Sequence, residues 1–333
     1  MPLDGKILAQ AKDILESKSR RNTELLTQRE EEVYKKAPII GALDAEIKET
    51  MMELVKVSLG MDTNGKIEDI RKKNQKLQEE RQNELKKAGF SIDFLDETYM
   101  CTKCNDTGYI KTTICSCLMD IYKSEQTKSL NNLFKLGDES FENFNLMFYD
   151  DEPFMGSSDS PRSTMKTIHD ICFEYARNFG AKSDNLLFFG TPGLGKTFLS
   201  ACIARVVADS GFSVVYDTAA SIFGKYEDEQ FGRINNPEEV RGIRNDIKRY
   251  LECDLLVLDD LGTEFVTTFT ISALYELINT RLINNKKTII SSNLDVGEFF
   301  KKGYTEEIVS RLTGDYQSLN FRGDDIRKKK NAL

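Results

Sequence analysis

The sequence predicts an α/β fold in which a parallel sheet is flanked by helices, preceded by a long helical arm and a small cysteine knuckle. Three observations carry that expectation. Up to about Phe90 the chain is rich in Glu, Lys, Gln and Leu and nearly free of aromatics, which favours helices over strands. Four of the seven cysteines fall between positions 101 and 117. Beyond about residue 163, short apolar runs (Asn185–Phe189, Ser213–Tyr216, Leu255–Leu258, Thr288–Ser291) alternate with helix-like segments, the texture of a sheet with helical crossovers.

At 333 residues the chain has length for roughly two domains of about 150 residues each. Its 46 basic and 54 acidic residues give a net charge of −8, which excludes a polycation built to coat nucleic acid along its whole length. No run approaches the ~18–20 apolar residues that span a bilayer, and the opening residues lack the apolar stretch of a signal peptide. The expectation is a soluble, cytoplasmic protein without a membrane span.

Residues 1–95 read as the arm. Ile40, Leu43, Ile47, Met51, Leu54 and Ser58 recur at helical spacing and mark one apolar face, with Gly60 placed to end the helix and Asp62-Thr63-Asn64-Gly65 to turn the chain. Ile67, Ile70, Leu77 and Leu85 mark the next helix, closed by Gly89, while Asn74 and Arg81 interrupt its stripe and predict a weak seam. A hairpin packed on itself and an arm that binds a partner are both consistent with this pattern.

Residues 96–122 read as the knuckle. Cys101-x-x-Cys104 and Cys115-x-Cys117, with a turn at Asn105-Asp106-Thr107-Gly108, offer four thiolates at a spacing that encloses tetrahedral Zn²⁺. A redox pair and unrelated free thiols are the competing readings. Four protein ligands leave no position for a reactive water, so the metal would be structural. The single histidine, His169, lies in a predicted helix and reads as structural, which leaves no Ser-His or Cys-His nucleophile.

The polar stretch 123–163, containing Gly156-Ser157-Ser158-Asp159-Ser160-Pro161, reads as a linker. The remaining residues, 164–333, read as a nucleotide-binding domain. A strand ending at Phe189 runs into Gly190-Thr191-Pro192-Gly193-Leu194-Gly195-Lys196-Thr197, which fills every position of G-x-x-x-x-G-K-[ST], and Phe198 opens the helix that follows. The glycines let backbone N–H groups turn inward around phosphate, and the helix N-terminus adds to the attraction. Lys196 is placed to reach the β and γ phosphates of ATP, and Thr197 to put its hydroxyl on Mg²⁺. Asp254-Leu-Leu-Val-Leu-Asp259-Asp260 supplies a buried strand with Asp259 at its end for the Mg²⁺ shell and Asp260 to orient or deprotonate water, Glu264 being an alternative base. Asn293, at the tip of a further strand, is suited to polarising water beside the γ phosphate, and its place in chain order matches the sensor position of an AAA+ module. Arg311 reads either as a finger completing a neighbouring subunit's site or as an ordinary surface arginine.

Together these residues resemble the bacterial replicative helicase loaders of the DnaC and DnaI type, in the initiator branch of AAA+ P-loop ATPases. The resemblance rests on Ser140-Phe-Glu-Asn-Phe-Asn145, Gly190 to Thr197, Leu258-Asp-Asp-Leu-Gly-Thr-Glu264, Leu274 to Arg281, Thr288 to Leu294 and Ser310-Arg311-Leu312, with the cysteine pattern of Tyr99 to Cys117 similar to DnaI-like members. It implies ATP hydrolysis with Mg²⁺ and identifies Arg311 with the arginine finger. It further implies a structural zinc, self-assembly on ATP or partner binding, and an amino-terminal region that binds a DnaB-type replicative helicase for placement on single-stranded DNA. Arg327 falls near the place of a sensor-2 arginine without a matching motif. An IstB-type transposition ATPase and a nucleotide-gated adaptor with negligible turnover share the same ATP-binding residues and stand as alternatives.

Overall fold

The computed structural model describes residues 3–58, 67–133, 139–153, 159–232 and 236–330. Gly60, the turn at residues 62–65 and positions 156–158 of the expected linker lie outside the described residues. The chain divides into two units, Lys12–Leu118 and Met1–Ala11 with Met119–Leu333.

In the smaller unit, three helices, α1 (Gly5–Lys36, continuing from the other unit), α2 (Pro38–Ser58) and α3 (Ile67–Lys87), precede the knuckle, whose strands β1 (Tyr109–Ile110) and β2 (Thr113–Ile114) form an antiparallel hairpin. Val33, Ile40, Leu85 and Leu95 make a small core edged by Tyr34, Phe90 and Phe94. Two expectations for the arm are corrected. Met51 is exposed and Thr50 is buried, because the 3.6-residue repeat carries the inward face from Ile47 to position 50. Asn74 and Arg81 do not weaken the seam but cross-link it: Asn74 Nδ2 donates to Thr50 Oγ1 at 2.6 Å, and Arg81 pairs with Asp44, which also accepts from Tyr34 Oη.

In the larger unit, α4 (Ser116–Leu133) is followed by short 3₁₀ turns at Phe141–Asn143 and Leu146–Phe148, then α5 (Pro161–Arg177), β3 (Asn185–Phe189) and α6 (Lys196–Asp209). Next come β4 (Val214–Thr218), α7 (Ala219–Phe231), α8 (Pro237–Glu252), β5 (Leu255–Leu261) and α9 (Thr268–Ile283). The chain closes with β6 (Lys287–Ser292), α10 (Val296–Lys302), α11 (Glu306–Gly314), β7 (Tyr316–Asn320) and α12 (Ile326–Lys330). The five long strands are all parallel, in the order β4-β5-β6-β3-β7. Alternate residues feed opposite faces: Leu186, Phe188, Val257 and Ile289 pack under α5 and α6, while Leu187, Leu256, Leu258 and Ile290 pack against α7, α8, α9 and α11.

The stretch expected as a linker is packed instead. Phe141 and Tyr149 are buried in the core, Gln126 Nε2 donates to the Phe212 carbonyl at 2.7 Å, and Ser160 caps α5 with Pro161 in its first turn. At the other end of the chain, Asp4 accepts from the amides of Lys6 and Ile7, pairs with Arg249 and donates its own amide to Tyr122 Oη. The first residues therefore belong with the larger unit, not with the arm.

Arg281 is fully buried and donates to the carbonyls of Tyr250, Cys253 and Lys287 and to Thr288 Oγ1, tying α9 to the starts of β5 and β6. Arg281→Ala leaves three carbonyls without their donor and is expected to cost about 3 kcal/mol or more, read as a fall in urea midpoint at unchanged slope.

Candidate functional site

Because every strand of the sheet is parallel, their carboxyl ends open on one edge, and the strand order sets who meets there. β6 lies between β3, which enters the glycine-rich loop, and β5, which carries the two aspartates near its carboxyl end. Asn293, the residue after β6, is thereby placed between the loop and the acids. Gly190 and Gly193 take positive φ (140° and 79°), and a Cβ at either would run into the Phe321 carbonyl or the Asp325 carboxylate. Ile326 N donates to the Gly193 carbonyl at 3.0 Å, so the segment after β7 is laid along the loop.

Lys196 is the hub. Its Nζ donates to the carbonyls of Gly190 (2.6 Å) and Thr191 (2.9 Å) and to Asn293 Oδ1 (2.9 Å). Burial lowers its pKa to about 8 against the pull of Asp260 and Asp259, with the Arg327 charge acting in the same direction as burial. Asp259 Oδ1 lies 3.5 Å from Thr197 Oγ1 and accepts from Ser291 Oγ, and its Oδ2 accepts from Tyr216 Oη at 2.6 Å. Asp260 has its pKa raised by burial and by the neighbouring Asp259, opposed by Lys196 and Arg327.

The structure brings together Gly190, Thr191, Pro192, Gly193, Leu194, Gly195, Lys196, Thr197, Asp259, Asp260 and Asn293. Phe198 belongs to the adjoining α6, where its ring tilts against Phe144 at 5.7 Å. Phe144 also stacks on Tyr149 and His169, and Tyr149 Oη donates to the Leu194 carbonyl at 2.9 Å, so the residues after Ser140 buttress the loop from behind. Glu264 is turned away from the acids: its carboxylate accepts from Gly262 N and from Tyr304 Oη, holding its own loop, which argues against it as the base. Arg311 bonds Asp315 (3.2 Å) and Asn279 (3.4 Å) on its own chain, and neither partner is in the loop. Arg327, without a motif to mark it, carries its charge close enough to act on Lys196 and Asp260. Tyr216 and Ser291 are site residues that the sequence alone does not single out, since they meet Asp259 only across the sheet.

The four Sγ atoms of Cys101, Cys104, Cys115 and Cys117 all lie within 4.8 Å of one another, with the 101–115 and 104–117 pairs at 3.7 and 3.4 Å. Zn–S bonds of ~2.3 Å in a tetrahedron put sulfurs roughly 3.8 Å apart, so the cluster fits zinc. Amides of Cys104 and Lys103 aimed at Cys101 lower its pKa to about 7, while burial and the neighbouring thiols push Cys117 up. A cation among the four sulfurs would offset the repulsion of their thiolate forms. Asp106 holds the first pair in place by accepting from the amides of Met100 and Cys101.

Comparison with known proteins agrees with this geometry. Residues 159–333, more than half of the chain, match the family described as IstB-like ATP binding protein. A putative insertion sequence ATP-binding protein of Sinorhizobium fredii is 31% identical over 119 residues, covering 36% of this chain and 37% of that protein. The replicative helicase loader DnaC of Escherichia coli is 27% identical over 157 residues, 47% of this chain and 61% of that protein. The chain thus spans less than two thirds of the length of either relative. AMPPCP-bound DnaA from Aquifex aeolicus aligns at a TM-score of 0.44 and 22% identity, over 60% of this chain and 56% of that one. The sheet order and the loop mark the larger unit as an AAA+ P-loop domain of the ATPase class. Among the described residues, no helix is long and apolar enough to cross a membrane.

Metal analysis of reduced, purified protein is expected to find about one zinc per chain, and Cys104→Ser to lose it together with the folding of residues 96–122; an apo protein with an ordered knuckle contradicts the assignment.

Proposed function

Because the chain belongs to the IstB-like ATP-binding protein family, we propose that it hydrolyses ATP and uses that cycle to load the replicative DNA helicase onto single-stranded DNA. The observation that carries the ATPase reading is the convergence of the loop, Asn293 and the two aspartates on Lys196. The inward N–H groups of Gly190 to Thr197 and the Lys196 ammonium bind the phosphates. Thr197 and Asp259 would hold Mg²⁺, which would neutralise phosphate charge when bound. Asn293 and Asp260 orient a water: its oxygen attacks the γ phosphorus, the bond to the β-phosphate oxygen breaks, and Asp260 takes the released proton, giving ADP and phosphate. Arg311, on the outer face of α11, is assigned to the γ phosphate of a neighbouring copy, exchanging Asp315 and Asn279 for that anion.

What supports loading over other uses of the same engine lies outside the family match: a helical hairpin and a four-cysteine knuckle, both features of the DnaI-like resemblance. Cys101, Cys104, Cys115 and Cys117 would hold a structural zinc that lets a piece too small for its own core fold, and that piece, with the arm, is the surface offered to a DnaB-type helicase. The 31% identity to an insertion sequence ATP-binding protein favours a second reading, in which the chain assembles on duplex DNA to direct a transposase. The full chain incubated with cognate helicase and forked DNA separates the two. Capture of the helicase and ATP-dependent unwinding are expected, whereas filaments on duplex DNA with no helicase bound support transposition. ATP turnover that is absent with helicase and single-stranded DNA present leaves only a nucleotide-gated adaptor.

The depressed pKa of Lys196 gives a further expectation. The phosphates select its charged form, so nucleotide raises its pKa and affinity is full below about pH 8 and falls as pH rises through it. Calorimetry at pH 8.5 in buffers of different ionisation enthalpy should show proton uptake on ATP binding, and Lys196→Met should abolish both the uptake and most of the affinity.

A further inference from the structure

Asp259 leaves β5 with both carboxylate oxygens engaged by hydroxyls from the strands on either side. Tyr216 on β4 donates to Oδ2, and Ser291 on β6 donates to Oδ1. Tyr216 lies opposite Val257 in the ladder, so its ring shares a sheet face with Asp259 and reaches along the strand to it. It is 5% exposed, in a core otherwise built of aliphatic and aromatic contacts, and its hydroxyl is also 3.4 Å from Ser200 Oγ on α6. Burying a phenol there is offset by a charge-assisted bond to a carboxylate, which fixes the rotation of that carboxylate about its Cβ–Cγ bond. With Oδ2 held by Tyr216, Oδ1 is the oxygen left facing Thr197.

Resting on the ATP reading above, we propose that Tyr216 is a positioning residue for the divalent cation of the nucleotide site, setting cation affinity through the orientation of Asp259 without touching nucleotide or metal. Partners in the second shell of a metal typically tune its binding by about 10- to 100-fold. Nucleotide binding without metal depends on the loop and Lys196 and does not call on Tyr216.

The test uses the full-length chain and Mn²⁺ as the probe, its binding followed by electron paramagnetic resonance in the presence of a non-hydrolysable ATP analogue. Tyr216→Phe keeps the ring and is expected to weaken Mn²⁺ binding by about tenfold or more, with analogue binding in chelator unchanged. Tyr226→Phe is the control, since it removes a buried hydroxyl that has no hydrogen-bond partner among the described residues, and its Mn²⁺ affinity should stay at the parent value. Equal Mn²⁺ affinity in Tyr216→Phe and parent, or an equal loss of metal-free nucleotide binding, overturns the proposal. Should the Phe variant not fold, 3-fluorotyrosine at 216 gives the second measurement: its ¹⁹F resonance should shift when Mg²⁺ joins the nucleotide complex, and an unmoved resonance counts against the role. A parent chain that binds no Mn²⁺ with nucleotide removes the ATP reading itself, which distinguishes the two failures.

Discussion

The larger unit is organised by one electrostatic constraint: the ammonium of Lys196 is buried at the strand ends and has to be solvated there by protein groups. Burial alone drives its pKa down toward neutrality, and the two aspartates across the strand ends hold it up. The parallel sheet makes this possible because it delivers the loop, the amide of Asn293 and the acids to the same edge, while leaving the hydrophobic faces of the strands to the helices. The carbonyls of Gly190 and Thr191 and the Asn293 oxygen satisfy the ammonium's three protons.

The smaller unit solves a different problem, folding with few apolar residues. Its helices are polar over most of their surface, and its core is a handful of residues around Leu85. Polar links do the remaining specification: Asn74 with Thr50, and Arg81 with Asp44 and Tyr34, fix the register of α2 on α3. The knuckle places four cysteine sulfurs within 4.8 Å of one another, a cluster that fits zinc, where hydrophobic burial is small. A surface with this composition exposes Met51, Met52 and Val55 beside Lys48 and Lys56 on α2, consistent with an arm that presents apolar side chains within a charged frame.

What was legible in the sequence follows from how local each signal is. β3 was read to its end residues because five consecutive residues are buried or nearly so, and the loop that follows is contiguous, so eight positions speak at once. β7 was missed because Tyr-Gln-Ser-Leu-Asn buries only Tyr316 and Leu319 on an edge strand, leaving no apolar run to see. The stretch around Phe141 to Tyr149 reads as a linker only because the residues on either side of it are polar and irregular, yet its four aromatics are what seat it behind the loop. Tyr216 and Ser291 were invisible for a topological reason: they meet Asp259 only once β4 and β6 are known to flank β5, and no spacing along the chain encodes that.

Strand order also explains the unusual backbone at the second acid. Asp260 takes a left-handed conformation (φ +56°), a place where a residue with a Cβ costs about 1 kcal/mol and Asp is among the better tolerated. Its amide donates to Ser291 Oγ at 3.1 Å, and its carbonyl accepts from Thr263 Oγ1 at 2.9 Å. The same Ser291 hydroxyl donates to Asp259. One side chain on β6 therefore fixes the carboxylate of the first acid and the backbone turn of the second, so the two cannot be repositioned independently. Asp is one methylene shorter than Glu and reaches less far from the backbone, so the left-handed turn decides where its carboxylate projects. The separation of the two carboxyl groups is set by the backbone turn and by hydroxyls from the flanking strands, more than by side-chain length.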